Sequence, residues 1–211
     1  MRITVFGSTG GIGQELVRQG IETGHEVTIV VRDPERLPEG LAGAAVHGIV
    51  RLDDPDAVRA AVAGRDAVLS GLGSRGRRAG GVAERLTGLV LAAMEAEGVR
   101  RLLVVSAAPV GPEAAGDPWV DRLARRAVGA VLREIYADLT RMEEALARSA
   151  TDWTSVRPPK LTDGPRTGAY RTVIGGTPRS ARSLSRADVA HAMLALIDDP
   201  AAVKQGVGVA Y

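Results

Sequence analysis

The 211-residue chain contains no cysteine. That removes thiol catalysis, disulfide scaffolds, iron–sulfur clusters and Cys-ligated zinc. Lysine is scarce as well: Lys160 and Lys204 are the only two, so the basic residues are almost all arginine. The sequence pI is about 9.4, yet the formal net charge is only +2. So small a charge spread over a domain is a weak footprint for nucleic acid, and no such partner is expected. No stretch approaches the roughly 18 consecutive apolar residues that a membrane span needs. The first residues run straight into a strand-like segment with no apolar signal region. A cytoplasmic protein without a membrane partner is expected. The sequence shows no internal repeat, linker or low-complexity tail.

What is present is an ordinary globular composition, 45% hydrophobic and 25% charged, with enough apolar side chain for a sizeable core. At about 150 residues per domain, the length fits a single domain over residues 1–211. Residues 3–6, 27–31, 45–50, 66–69, 101–105 and 153–156 read as short buried strands. Helices are predicted over 14–20, 55–63, 82–97 with Gly98 as the stop, 120–148 and 185–197. The last opens with Ser185-Arg186-Ala187-Asp188, read as a capping box in which hydroxyl and carboxylate each serve the other's amide. Residues 160–167 read as a loop, 168–174 as a candidate extra strand and 207–211 as a candidate edge strand. The alternation predicts an α/β fold with a mainly parallel, doubly wound sheet. Ligands of such sheets bind beyond the carboxyl ends of the strands. The loops over 7–13, 32–36, 70–74, 106–112 and 158–170 are therefore the candidate site.

The turn Gly7-x-x-Gly10-x-x-Gly13 follows the first strand and opens the first helix. This is the context a dinucleotide fingerprint requires, and it makes the fold Rossmann-type. Gly7 allows the tight exit from the strand, Gly10 lets backbone approach a pyrophosphate, and Gly13 lets helix pack on strand. Thr9, Gly11 and Ile12 complete the turn, and the helix N-terminus offers free amides to the phosphates. At the end of the second strand stand Arg32 and Arg36, flanking Asp33. An acid here holds the ribose 2′-hydroxyl of NAD, whereas an arginine accommodates the 2′-phosphate of NADP. NADPH is the expected cofactor, and a guanidinium at Arg32 can also lie on the adenine.

These segments resemble one group of proteins. The turn Gly-Ser-Thr-Gly-Gly-Ile-Gly, the strand end Val-Val-Arg-Asp-Pro-Glu-Arg-Leu-Pro, and Asp66-Ala67-Val68 with Gly71-Leu72-Gly73 carry part of the likeness. The rest lies in residues 156–170, Val-Arg-Pro-Pro-Lys through Thr-Gly-Ala-Tyr, and in Ser183-Leu184-Ser185-Arg186-Ala187-Asp188-Val189-Ala190. They are similar to the atypical short-chain dehydrogenase/reductases of the biliverdin reductase B, or flavin reductase, type, close to the NmrA-like NAD(P)-binding proteins. The resemblance implies a single Rossmann domain that binds NADPH and reduces flavins or other planar conjugated acceptors, such as quinones or linear tetrapyrroles. It also implies that Gly71, Leu72, Gly73, Pro158 and Pro159 contact the cofactor. Ser106 would stand near the nicotinamide, and Ala107 and Lys160 would border the acceptor. A non-catalytic NADP(H) redox sensor of NmrA-like type is the alternative, with a nucleoside-sugar or isoprenoid-type epimerase/reductase relative behind it.

Two departures stand out. Tyr136, Tyr170 and Tyr211 have no lysine four residues on, so the Tyr-x-x-x-Lys acid/base pair of many short-chain dehydrogenases is missing. Relatives also carry an aspartate after the third strand for the adenine, whereas here Gly48 is followed by Ile49, with Asp53 and Asp54 displaced. The histidines, His25, His47 and His191, have no metal-ligand spacing, and no metal is expected. Trp119 and Trp153 read as packing residues.

Overall fold

The computed structural model describes residues 1–31, 41, 54–73, 80–114, 116–119 and 128–211. A parallel sheet needs a crossover between neighbouring strands, and the alternation along the chain supplies it. In order come β1 (Arg2–Phe6), α1 (Gly11–Glu22), β2 (Glu26–Val30), α2 (Pro55–Val62), β3 (Ala67–Ser70), α3 (Val82–Glu97) and β4 (Arg101–Val105). There follow α4 (Arg133–Arg148), β5 (Asp152–Arg157), β6 (Lys160–Thr162), β7 (Arg171–Ile174), β8 (Ser183–Ser185), α5 (Arg186–Ala195) and β9 (Gln205–Ala210). The described strands form a seven-stranded sheet in the order β2-β1-β3-β4-β5-β9-β7, parallel except for β7, and β6 pairs with β8 in a small parallel ribbon. The chain is a Rossmann-like α/β domain. The predicted strand over 45–50 lies outside the described residues.

Both faces of the sheet are covered, which is why its strands read as near-continuous apolar runs. Period-two alternation sends Ile3 and Val5 to one core and Phe6 to the other. Leu16 and Val17 of α1 meet Val189 and Met193 of α5 on the first face. Val58 of α2, Met94 of α3 and Met142 and Leu146 of α4 close the second. Thr4 and Thr154, buried on strands, are satisfied by the carbonyls of Ala61 and Ala202, each at 2.7 Å.

The helix ends show where local sequence suffices and where it does not. Asp54 caps α2 ahead of Pro55, accepting from the amides of Asp56 and Ala57 at 3.1 and 3.4 Å. Gly98, at φ +68°, ends α3 as predicted. The start of α3 is capped from another element: Asp138 of α4, almost fully buried, accepts from the amides of Ala83 and Glu84 at 3.0 and 3.1 Å. Of the predicted helix over 120–148, residues 128–131 are helical, Leu132 interrupts the helix, and α4 continues from Arg133; residues 120–127 lie outside the described residues.

Four expectations are corrected. The last strand is interior, because β7 folds back antiparallel onto β9 and becomes the edge itself. Part of the predicted loop over 160–167 is β6, held by β8. At the start of α5, Ser185 Oγ does accept from the Asp188 amide at 3.0 Å, but the carboxylate does not answer the Ser185 amide, which instead donates to Tyr211 Oη at 3.3 Å. Trp153 packs against the second core, whereas Trp119 is exposed rather than packed. Among the described residues no helix is long and apolar enough to cross a membrane.

Candidate functional site

The strand register aligns Phe6 with Val30 and with Ser70, and Val105 with Val156. Every strand of the parallel set thus ends on the same edge, and the loops that follow gather there. The glycine turn occupies its centre. Gly7 has φ +73°, a left-handed conformation that favours glycine. Its carbonyl accepts from the Gly10 amide at 2.9 Å and closes the turn. A Cβ on Gly13 would stand 2.1 Å from that carbonyl oxygen, so helix can meet strand here only through glycine. A Cβ on Gly7 would stand 2.8 Å from the Gly71 backbone, and Gly71 donates to the Phe6 carbonyl at 3.0 Å. Gly7, Gly13 and Gly71 are therefore one interlocked contact between three segments. Ser8, fully buried, ties the turn to β2 through the Val30 carbonyl at 3.3 Å.

Gly10 differs from its neighbours. Its φ of −84° suits any residue, and a Cβ would only graze the Gly7 oxygen at 3.3 Å. Internal packing presses on it less than on Gly7 or Gly13, and a bare backbone here leaves room for a phosphate to approach. No side chain caps α1, so its first-turn amides are free to meet an anion. These features fit a dinucleotide pyrophosphate.

Residues 7–200 match a protein family described as NAD(P)H-binding. The chain belongs to this NAD(P)H-binding family. A candidate exported protein from Burkholderia pseudomallei is 27% identical, with a TM-score of 0.80 and 100% of both chains covered. A short-chain dehydrogenase/reductase from Veillonella parvula, solved in complex with NADP, is 18% identical with a TM-score of 0.81, covering 100% of this chain and 94% of that one. A candidate NADH-flavin reductase from Streptococcus pneumoniae is 18% identical with a TM-score of 0.77, covering 100% and 99%. At 18% identity the likeness is one of fold alone. An uncharacterised protein of Schizosaccharomyces pombe is 42% identical over 69 residues, which are 33% of this chain and 23% of that protein. The chain thus spans under a quarter of that curated relative's length.

In this NAD(P)H-binding chain, Gly7, Thr9, Gly10, Gly11, Ile12, Gly13 and Gly71 converge, with Leu72 and Gly73 next along the chain. Leu72 turns partly into the second core. Arg32 and Arg36 lie outside the described residues. At the far half of the edge, Ser106 donates its amide to the Val156 carbonyl at 2.8 Å, and the Ala108 amide donates to the Pro158 carbonyl at 2.9 Å. Ser106, Ala107 and Pro158 therefore adjoin, as predicted from strand ends. Lys160 begins β6 and is exposed.

Ser106 Oγ is shut away from solvent and makes no hydrogen bond of ordinary geometry. It lies beside a carboxylate that local sequence did not supply: Glu143, from α4. Glu143 accepts from Ser155 Oγ at 2.7 Å and from Arg157 Nε at 3.0 Å, with Arg157 Nη2 completing the fork. Burial pushes the Glu143 carboxyl up, but Arg157, Ser106 and Ser155 together outweigh burial and hold it below the usual carboxylate range. The Arg157 guanidinium occupies the space beside Gly206, where a Cβ would come within 2.2 Å, and beside Gly111 at 3.0 Å. One signal for Glu143 was available: it sits four residues after Leu139 and three before Leu146, an apolar-face position for an acid.

The loop after β6 hangs on Asp188. Its buried carboxylate accepts from the amides of Thr167 and Gly168 and from Thr167 Oγ1, each at 2.8 Å, and from Tyr211 Oη at 2.6 Å. Burial opposes ionisation, yet these donors lower its pKa to about 2. Tyr170, at the end of the same loop, pairs its hydroxyl with His191 Nδ1 at 2.7 Å. Burial, with Asp188 nearby, pushes Tyr170 up to about 12. This phenol stays protonated at neutral pH and is a poor base.

Proposed function

We propose that this protein is an NADPH-dependent reductase of the biliverdin reductase B or flavin reductase type, passing hydride to a flat conjugated acceptor such as a flavin, a quinone or a linear tetrapyrrole. The observation that carries the reading is the pairing of a glycine-walled dinucleotide turn with a strand-end edge where the Ser106 hydroxyl is closed off beside Glu143 and Arg157, and the Glu143 carboxylate is held ionised by that arginine. When bound, a reduced nicotinamide supplies hydride, and the acceptor takes it together with a proton from solvent. The first turn of α1 and Gly71 would hold the phosphates and ribose, and Arg32 and Arg36 the 2′-phosphate. Ala107, Pro158, Pro159 and Lys160 would border the acceptor. Their work is alignment of donor and acceptor faces rather than acid catalysis. Such a border selects by shape, so several planar acceptors should turn over, each weakly bound.

The test is steady-state NADPH oxidation against FMN, FAD, a quinone and a linear tetrapyrrole, with NADH in parallel. Turnover of at least one acceptor, faster at low NADPH than at the same NADH, supports the reading. Tight NADPH binding with no oxidation of any acceptor would overturn it in favour of a non-catalytic NADP(H) sensor.

A further inference from the structure

Gly11 opens α1, and the room its side chain would fill is taken by an arginine. A Cβ at Gly11 would lie 2.6 Å from Arg186 Cδ and 3.2 Å from Nε. Among the glycines of the turn, Gly11 alone has a cationic side chain in that space. Arg186 is the first residue of α5, and the packing of α5 on α1 delivers it. Gln19 of α1 fixes that docking by donating to the Ala187 carbonyl at 2.9 Å, with both residues buried. The end of the arginine's aliphatic stem, with Nε, therefore lies over the start of the uncapped first turn, and the guanidinium extends beyond it. Its partner is the carboxylate of Asp163, just past β6, whose side chain is 90% exposed.

We propose that Arg186 is a pyrophosphate-binding residue of the dinucleotide site, and that the cofactor's phosphates displace Asp163 from it. The inference rests on the dinucleotide reading of the glycine turn. The helix terminus brings only partial positive charge to a doubly charged pyrophosphate. Arg186 brings a full charge, and its planar fork matches phosphate oxygens in a way an ammonium does not. A pair with so exposed a carboxylate is weakened by water and salt, so the arginine can change partners at little cost. The glycine at position 11 is explained by the same arrangement, because a Cβ there would meet the Arg186 stem at Cδ and force the side chain to shift.

Titration of the full chain with NADPH and with NADH, followed by nicotinamide fluorescence, tests this. Both cofactors carry the pyrophosphate, so Arg186→Ala should weaken both by the same factor, about tenfold or more. Arg186→Lys should recover part of the loss, and Asp163→Asn should tighten both. Undiminished binding in Arg186→Ala would overturn the proposal and leave the dinucleotide reading standing. So would a loss confined to NADPH, which would assign Arg186 to the 2′-phosphate. Unchanged or weaker binding in Asp163→Asn would overturn the exchange of partners. Failure of the wild type to bind either cofactor would remove the dinucleotide reading, and this inference with it.

Discussion

The Ser106 hydroxyl lies beside the Glu143–Arg157 pair, closed off from solvent. A general acid contributes about 100- to 10,000-fold to a rate, and a hydroxyl closed off from solvent has no water from which to replace a donated proton. Ser106→Ala should therefore keep turnover within about tenfold of wild type, with NADPH affinity unchanged. A loss beyond about 100-fold in kcat would show that the hydroxyl opens to the acceptor during the reaction. The same scale separates two kinds of glycine. Gly7 and Gly13 are glycine because of φ and of a neighbouring carbonyl. Gly11 is glycine because the Arg186 stem fills the space of its side chain, and Gly10 is the least crowded of the four. The spacing Gly7-x-x-Gly10-x-x-Gly13 is legible without a structure, but this division of labour is not, because Gly71 and Arg186 come from distant parts of the chain.

At the scale of elements, α3 shows a cap borrowed across the sheet face. Its own N-terminal residue, Gly81 at φ +67°, has no side chain to offer, and Asp138 of α4 takes the two amides instead. Losing those bonds in a buried setting leaves donors unpaired, so Asp138→Ala should cost about 1–3 kcal/mol of unfolding free energy. Urea unfolding would read it as a lower midpoint at unchanged slope. The span of α3 was legible, since periodicity and Gly98 mark it, but its cap was not. Asp138 is one of two acids on the apolar side of α4, together with the half-buried Glu143, and each serves a second element. The small ribbon of β6 and β8 was missed for a related reason. Three residues carry no periodic signal, and the pairing of Lys160 with Ser183 joins positions far apart in sequence.

For the molecule as a whole, Asp188 ties the C-terminus, the start of α5 and the loop after β6 into one unit through Tyr211, Ser185 and Thr167. Its folded pKa of about 2 is below the ordinary 3.8. A depressed carboxyl stabilises the fold fully above the unfolded value and loses that contribution as pH falls through the folded one. The contribution at neutral pH is roughly 2 kcal/mol. Asp188→Asn should therefore be less stable than wild type at pH 7, and the gap should shrink as pH falls from about 4 to about 2. Urea unfolding of both proteins across that range checks it, and a gap independent of pH would mean that the carboxylate's charge is not what holds the loop. The comparison with the variant matters, because Glu143 and Asp152 are also held below the usual range and add to the acid sensitivity of wild type.

Local sequence determined the parallel α/β architecture, the dinucleotide turn and the strand ends where Ser106 and Pro158 lie. Each is written in contiguous residues: apolar runs, glycine spacing and helix stops. The tertiary structure alone decided that β9 is interior and β7 the edge, since a five-residue apolar run reads alike in either place. It alone set Glu143 and Arg157 beside Ser106, Asp188 under the loop after β6, and Arg186 against Gly11. These are contacts between ionisable groups 14 to 175 residues apart or between such groups and backbone, and nothing in one-dimensional spacing encodes them. They exist because packing two helices, α4 and α5, onto opposite faces of the sheet carries their charged residues to the same carboxyl edge.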